Sequence, residues 1–523
     1  MNQIFTLIKK LSITFFLSFI IFIEPSIVYG QAKAEQAFAV KGFHLDMKIQ
    51  VMRMPALKKF VKKLHDNGIN TLIMEWGGTY PFLNHPLISN RFAYTRDEIV
   101  DFMAYCNSLK MDVIPLQQSF GHVEYILKHY KYKELRESNK DFSQVNPLKE
   151  DLNRALFTDL FKDMVDTHPS QYFHIGGDET TLLGYHPASK EKIEAVGVGR
   201  LYGDYIKLLC DIVTSLGKTP VLWADIALKY PDALQQIPKG TVFVDWNYGW
   251  NFNRFGKHEN LLNSGFEIWG APAIRSAPDN FYLTCWTKHF QNLADFIPAA
   301  RSYDYKGMVV TSWSTSGFYT TVWESNSEVL DMYSIRRVYP ITGFNILIDA
   351  YFKAINDSNP LDISGFVADY TRERFGFNEN ENQRFWQALT KTPFEIERGV
   401  VNKGAMTTAN LRDSALIAAK ELHNLKPAKN IKEFKHYQLM ADIRAQYLTY
   451  MELEVRANST DFTRNDIPGV LLQLKSINTA DIDKRFIALN KDTYYMAELV
   501  EENELRNKKI KMLYDRLANA REN

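Results

Sequence analysis

Eight times between residues 42 and 338, a short run of bulky, strand-prone residues gives way to a stretch with helical spacing. The strand-like runs fall at 42–46, 69–75, 111–116, within 171–180, and at 220–223, 241–245, 266–270 and 308–312. Helical patterns follow them near 55–67, 95–109, 151–167, 199–216, 231–236, 258–262, 286–297 and 328–338. Strict alternation of this kind demands parallel strands with crossover helices, and eight units predict an α/β fold, a closed (β/α)8 TIM barrel. An open doubly wound sheet expects a glycine-rich phosphate loop after its first strand. The first strand here runs instead into His44-Leu45-Asp46-Met47-Lys48.

The pattern changes near residue 349. Strands vanish from there on, and helical periodicity dominates 382–389, 411–422, 433–457 and 484–517. The expected organisation is a barrel over 31–348 and an α-helical C-terminal domain over 349–523. Residues 1–30 have the layout of a signal peptide: Lys9 and Lys10, an apolar run, then Val28-Tyr29-Gly30. The expected destination is therefore outside the cytoplasm, periplasmic or secreted, with no membrane span left after cleavage. Sixty-two basic residues against 61 acidic ones exclude a general affinity for nucleic acid. The three cysteines form no C-x-x-C pattern and read as small buried residues.

A barrel keeps its chemistry at the C-terminal ends of its strands. Those ends are rich in polar and aromatic side chains here: His44, Asp46 and Lys48; Glu75 and Trp76; Gln117, Gln118, His122 and Glu124; Asp178 and Glu179; Trp223 and Asp225; Asp245, Trp246, Asn247 and Tyr248; Trp269; Trp313. Acids ringed by Trp and Tyr, with no evident metal cluster or cofactor motif, point to sugar chemistry. Asp178 and Glu179 are neighbours, and in an extended segment neighbouring side chains point to different sides. They cannot easily flank a sugar ring as acid and nucleophile. A substrate that supplies its own nucleophile, a 2-acetamido oxygen, removes that difficulty.

The run His174-Ile175-Gly176-Gly177-Asp178-Glu179 resembles the motif of glycoside hydrolase family 20, the β-N-acetylhexosaminidases, most closely the hexosaminidase D-like branch. The segments 44–48, 115–124, 135–137, 221–225 and 311–314 carry the same resemblance. It implies an exo-acting enzyme that releases N-acetylglucosamine or N-acetylgalactosamine from glycans with retention. Glu179 would be the general acid and base, and Asp178 would orient the acetamido group. Trp223, Trp246 and Trp313 would wall the sugar, Tyr248 would reach the acetamido oxygen, and His122 would contact substrate or support the acids. Family members carry an Arg for the sugar hydroxyls, where this chain offers Lys48, with Glu75 as a second candidate. His174 reads equally as a buried structural residue. Two alternatives stay open on the residues alone: a sugar-binding barrel without turnover, and a metal-dependent hydrolase using His174 and Asp178.

Overall fold

The computed structural model describes residues 37–276, 279, 284–314, 338–391, 395–397, 400–402 and 406–522. The signal peptide expected at 1–30 and most of the helix expected at 328–338 lie outside them. Eight parallel strands close on themselves: β1 (Val40–Asp46), β2 (Thr71–Glu75), β3 (Asp112–Leu116), β4 (Tyr172–His174), β5 (Thr219–Trp223), β6 (Val242–Trp246), β7 (Glu267–Ala271) and β8 (Gly307–Ser312). Closure comes from β8 pairing back onto β1, Val40 against Gly307 through Phe43 against Val310. A short extra strand, Ala273–Arg275, lies on the outer end of β8.

Side chains alternate sides along a strand, and that alternation builds two separate cores. Ile73, Ile114, Leu116, Val221, Trp223, Val242, Val244, Trp269, Ala271 and Val309 point inward and fill the barrel. Phe43, Leu45, Leu72, Met74, Val113, Phe173, Leu222, Phe243, Ile268, Met308 and Val310 point outward against the helices. The barrel interior is therefore a packed plug, not a pore. The helices start where their capping residues stand. Thr95 accepts from Glu98 N and Glu98 reaches back to the Thr95 main chain, a reciprocal cap for the helix Arg96–Ser108.

Beyond the barrel the chain is mainly helical, with two departures from the sequence expectation. Strands do not vanish after residue 349: Glu395–Glu397 and Val400–Asn402 pair antiparallel. The long helix expected at 484–517 is two helices, Thr479–Asn490 and Met496–Glu522. Helical periodicity runs through the gap, but Tyr494 bridges antiparallel to Met52 and the Thr493 carbonyl accepts from Arg53 N at 2.7 Å. The Thr493 carbonyl, turned to Arg53 N, does not take the helical hydrogen bond it would otherwise accept from four residues on. Helices beyond those expected include Glu124–Leu127, Pro187–Val196, Asp225–Lys229, Asn345–Asn356, Ile363–Phe375 and Ile467–Ser476. Among the described residues no helix is long and apolar enough to cross a membrane.

Candidate active site

β4 is only three residues long, and after it the chain turns through Gly176 and Gly177, at φ of +74° and +91°. Both angles are in the region that only glycine adopts freely. A Cβ on Gly176 would also meet the Gln118 side-chain oxygen at 2.0 Å, so any larger residue there would have to displace Gln118. The turn is pinned from two sides: Ser119 Oγ donates to the Ile175 carbonyl at 2.5 Å, and Tyr202 OH donates to the Gly177 carbonyl at 3.0 Å. It delivers Asp178, buried, and Glu179, part-exposed, to the barrel mouth.

The two carboxylates do not diverge as an extended segment would make them. Glu179 has a φ of +47°, which swings its side chain back toward that of Asp178. His122, itself at φ +56°, places Nε2 at 3.2 Å from Asp178 Oδ2 and 3.3 Å from Glu179 Oε2. Burial disfavours a charged imidazole there, but Asp178 and then Glu179 outweigh it and hold His122 well above the ordinary histidine range. Asp178 Oδ1 is buried and makes no hydrogen bond among the described residues.

Asp225, just beyond β5, is the third carboxyl of the site. Its Oδ2 accepts from Glu179 N at 3.0 Å and its Oδ1 from Trp246 Nε1 at 3.2 Å. Burial, then the neighbouring Asp178, push this carboxyl up to about 8. The folded state thus holds the Asp225 proton more tightly than an unfolded chain, whose aspartates titrate near ~3.9. The resulting stability is present in acid and falls away as pH rises from about 4 to about 8. Asp225→Asn loses one acceptor at every pH but removes this slope. Its melting temperature is therefore expected to vary less with pH than the wild type's between about 4 and 8, as calorimetry across that range would show. Equal slopes for the two proteins would contradict this assignment.

On the other side of the mouth, β1 and β2 supply a buried charged cluster. Lys48 Nζ pairs with Glu75 Oε1, His44 Nε2 lies 2.9 Å from Glu75 Oε2, and Gln118 Nε2 donates to Glu75 Oε1 at 3.1 Å. Burial opposes ionisation of Glu75, yet Lys48 and then His44 hold its carboxyl far below the usual range. The Lys48 ammonium is 5.5 Å from the centre of the Trp313 ring. Glu124, in the helical turn after His122, is pushed up to about 7 by burial, with His122 and Lys48 acting against the shift.

The aromatic wall joins these two sides. The Trp223 and Trp313 ring centres are 6.0 Å apart, and Trp313 Nε1 donates to Tyr248 OH at 2.7 Å. Tyr248 lies 5.2 Å from both Trp246 and Trp250. Trp250 escaped the sequence reading, although it follows Tyr248 by two residues in the same loop. His174 is fully buried, accepts from Gly176 N at 3.0 Å and is pushed down to about 3, chiefly by burial. It supports the turn as a neutral ring.

Thus Lys48, Glu75, His122, Asp178, Glu179, Trp223, Trp246, Tyr248 and Trp313 converge on one end of the barrel. Three other residues at the expected strand ends do not join them. Trp76 packs on the outer side, donating to His168 Nε2 at 3.0 Å. Asp245 also faces outward, accepting from Tyr305 OH at 2.5 Å. Trp269 is in the middle of β7, inside the plug, bonded to Glu267 at 2.7 Å and packed on Tyr172. Among the described residues no cluster of His, Cys, Asp and Glu is arranged to hold a metal.

Comparison with known proteins points to one family. The model of the glycosyl hydrolase family 20 catalytic domain matches residues 44–330, more than half of the chain. Hexosaminidase D of Bos taurus is 27% identical over 298 residues, covering 54% of this chain and 86% of that protein. Hexosaminidase D of Homo sapiens is 26% identical over 304 residues, covering 55% of this chain and 62% of that protein. The crystal structure of a β-N-acetylhexosaminidase from Bacteroides fragilis aligns with a TM-score of 0.47 at 14% identity, over 64% of this chain and 70% of that one. The chain belongs to glycosyl hydrolase family 20 and is a glycoside hydrolase.

Proposed function

We propose that the protein is an exo-acting β-N-acetylhexosaminidase that works with retention through the substrate's own acetamido group. The supporting observation is the pairing of Asp178 and Glu179 on one imidazole, with Asp178 Oδ1 left as a buried acceptor. A buried carboxylate oxygen without a donor is costly. An acetamido N–H from the sugar would satisfy it. Because both carboxylates gather on one His122 nitrogen, neither stands across the sugar ring from the other. That arrangement favours a nucleophile supplied by the substrate.

Glu179, the more accessible of the pair, donates its proton to the glycosidic oxygen as the acetamido carbonyl oxygen attacks the anomeric carbon. Asp178 accepts from the acetamido N–H and offsets the positive charge of the oxazolinium ion that forms. Glu179 then takes a proton from the water that opens this ring. Trp223, Trp246 and Trp313 enclose the methyl group and sugar face, and Tyr248 donates to the acetamido oxygen. Lys48 and Glu75 contact the ring hydroxyls, one of which, at C4, distinguishes N-acetylglucosamine from N-acetylgalactosamine. The substrate is a terminal N-acetylhexosamine of a glycan, met outside the cytoplasm after export directed by residues 1–30.

A chromogenic panel tests the proposal. Aryl N-acetyl-β-glucosaminides and N-acetyl-β-galactosaminides should be cleaved, and the α-anomers and plain β-glucosides should not. Comparable rates on β-glucosides would sink the substrate-assisted mechanism, since those lack the acetamido group.

A further inference from the structure

The loop after β1 carries Lys48, and its path is set from the far end of the chain. Lys48 N donates to Asp46 Oδ1 at 3.0 Å, and Asp46 Oδ2 in turn accepts from Ser314 N and Oγ at 3.0 and 2.6 Å. Gln50 then adopts a φ of +56°, unfavourable for a residue with a side chain. It is held there by a bond from Arg275 at 3.2 Å and by its own donation to the Val338 carbonyl at 2.8 Å. The next three residues meet the C-terminal helical region. Val51 N donates to Glu498 Oε2 at 2.7 Å, Met52 bridges to Tyr494, and Arg53 N donates to the Thr493 carbonyl. Val51, Met52 and Glu498 are all buried.

We propose that residues 493–498 of the helical region belong to the substrate-recognition apparatus, with Glu498 the positioning residue that fixes the Lys48 loop. The proposal rests on the reading of Lys48 as a contact for sugar hydroxyls. A lysine ammonium is a point charge on a flexible stem and cannot impose its own geometry as an arginine fork can. Its precision has to come from the backbone that carries it and from the Glu75 and Trp313 surroundings. Three consecutive residues of that backbone, beginning three positions after Lys48, are anchored on residues 493–498. The interruption of the helix at 491–495 frees Thr493 and Tyr494 to meet this backbone, and Glu498 reaches Val51 from the first turn of the helix that follows. A buried carboxylate serving a main-chain N–H is likewise a strong restraint.

Steady-state kinetics of the full chain on an aryl N-acetyl-β-glucosaminide test this through a double-mutant cycle. Glu498→Ala is expected to raise KM about tenfold with a smaller change in kcat, the scale expected for a displaced substrate contact. In a Lys48→Met background the same substitution should add little, because the contact it positions is already gone. Glu498→Gln keeps an acceptor oxygen for Val51 N–H and should recover most of the affinity. If Glu498→Ala does not fold, Glu498→Asp, which draws the carboxylate back by one methylene, should show the same coupling to Lys48. An unchanged KM, or equal losses in both backgrounds, would overturn the proposal. If Lys48→Met itself leaves KM unchanged, the reading of Lys48 fails and the positioning role falls with it.

Discussion

Glu179→Gln is expected to lower kcat/KM on an unactivated alkyl N-acetyl-β-hexosaminide by about 10³-fold, near ~4 kcal/mol of transition-state stabilisation. Glutamine is nearly isosteric but has no proton of suitable acidity to give the leaving oxygen. The loss should be much smaller on a dinitrophenyl glycoside, whose leaving group departs without protonation. The fold should be preserved, because the bond that anchors this residue to Asp225 comes from the Glu179 main-chain N–H, which the substitution keeps. Rates on both leaving groups, with circular dichroism as a control, decide the matter. Equal losses on the two would place the acid elsewhere in the site.

Asp178→Asn should cost about 10² to 10³-fold in kcat, the range for removing one group preorganised toward developing charge. Two contributions act together here. The buried Oδ1 is the acceptor proposed for the acetamido N–H, and Oδ2 lies 3.2 Å from His122. An amide has no charge to set against the oxazolinium ion and weakens the field that keeps His122 protonated. The companion measurement replaces the substrate's acetyl group by mono-, di- and trifluoroacetyl. Each fluorine makes the carbonyl oxygen a poorer nucleophile, so the wild-type rate should fall steeply along the series. A flat series would mean that the acetamido oxygen does not attack, and Asp178 would lose its proposed role.

Side-chain parity explains which strand-end residues reach the site. Trp223 and Trp246 share the inward face with the barrel plug, and Trp313 follows β8 close to Trp223. Trp76 and Asp245 stand one residue away from inward positions and therefore point out to His168 and Tyr305. That distinction is present in the alternation of each strand, but it requires the strand's start and register to be known to the residue. β7 runs through Ala271, one residue further than its apolar run suggests, and this leaves Trp269 in mid-strand.

Asp225 and Glu498 escaped assignment for a different reason. Asp225 stands 46 positions from the residue whose main chain it holds, and Glu498 stands 447 from Val51. Local pattern carries no information about such pairs. In the 484–517 segment it misleads, because residues 491–495 have helical spacing and yet Thr493 and Tyr494 turn to the β1 loop, the Thr493 carbonyl accepting from Arg53 N. Nor does local pattern reveal the positive φ of Glu179, which turns two adjacent acids toward one histidine.

The amino-acid order alone determined the eight strands and the helices between them, the barrel they require and the strand ends that bear acids and tryptophans. Those features rest on short-range physics: the two-residue period of a strand, the helical repeat, and glycines where the chain must turn. The tertiary structure decided which strand-end residues share the barrel mouth, how Asp178, Glu179 and Asp225 divide charge and protons, and what holds the Lys48 loop. Those depend on burial and on hydrogen bonds between residues far apart in the chain, and they exist only once the barrel has closed against its helices.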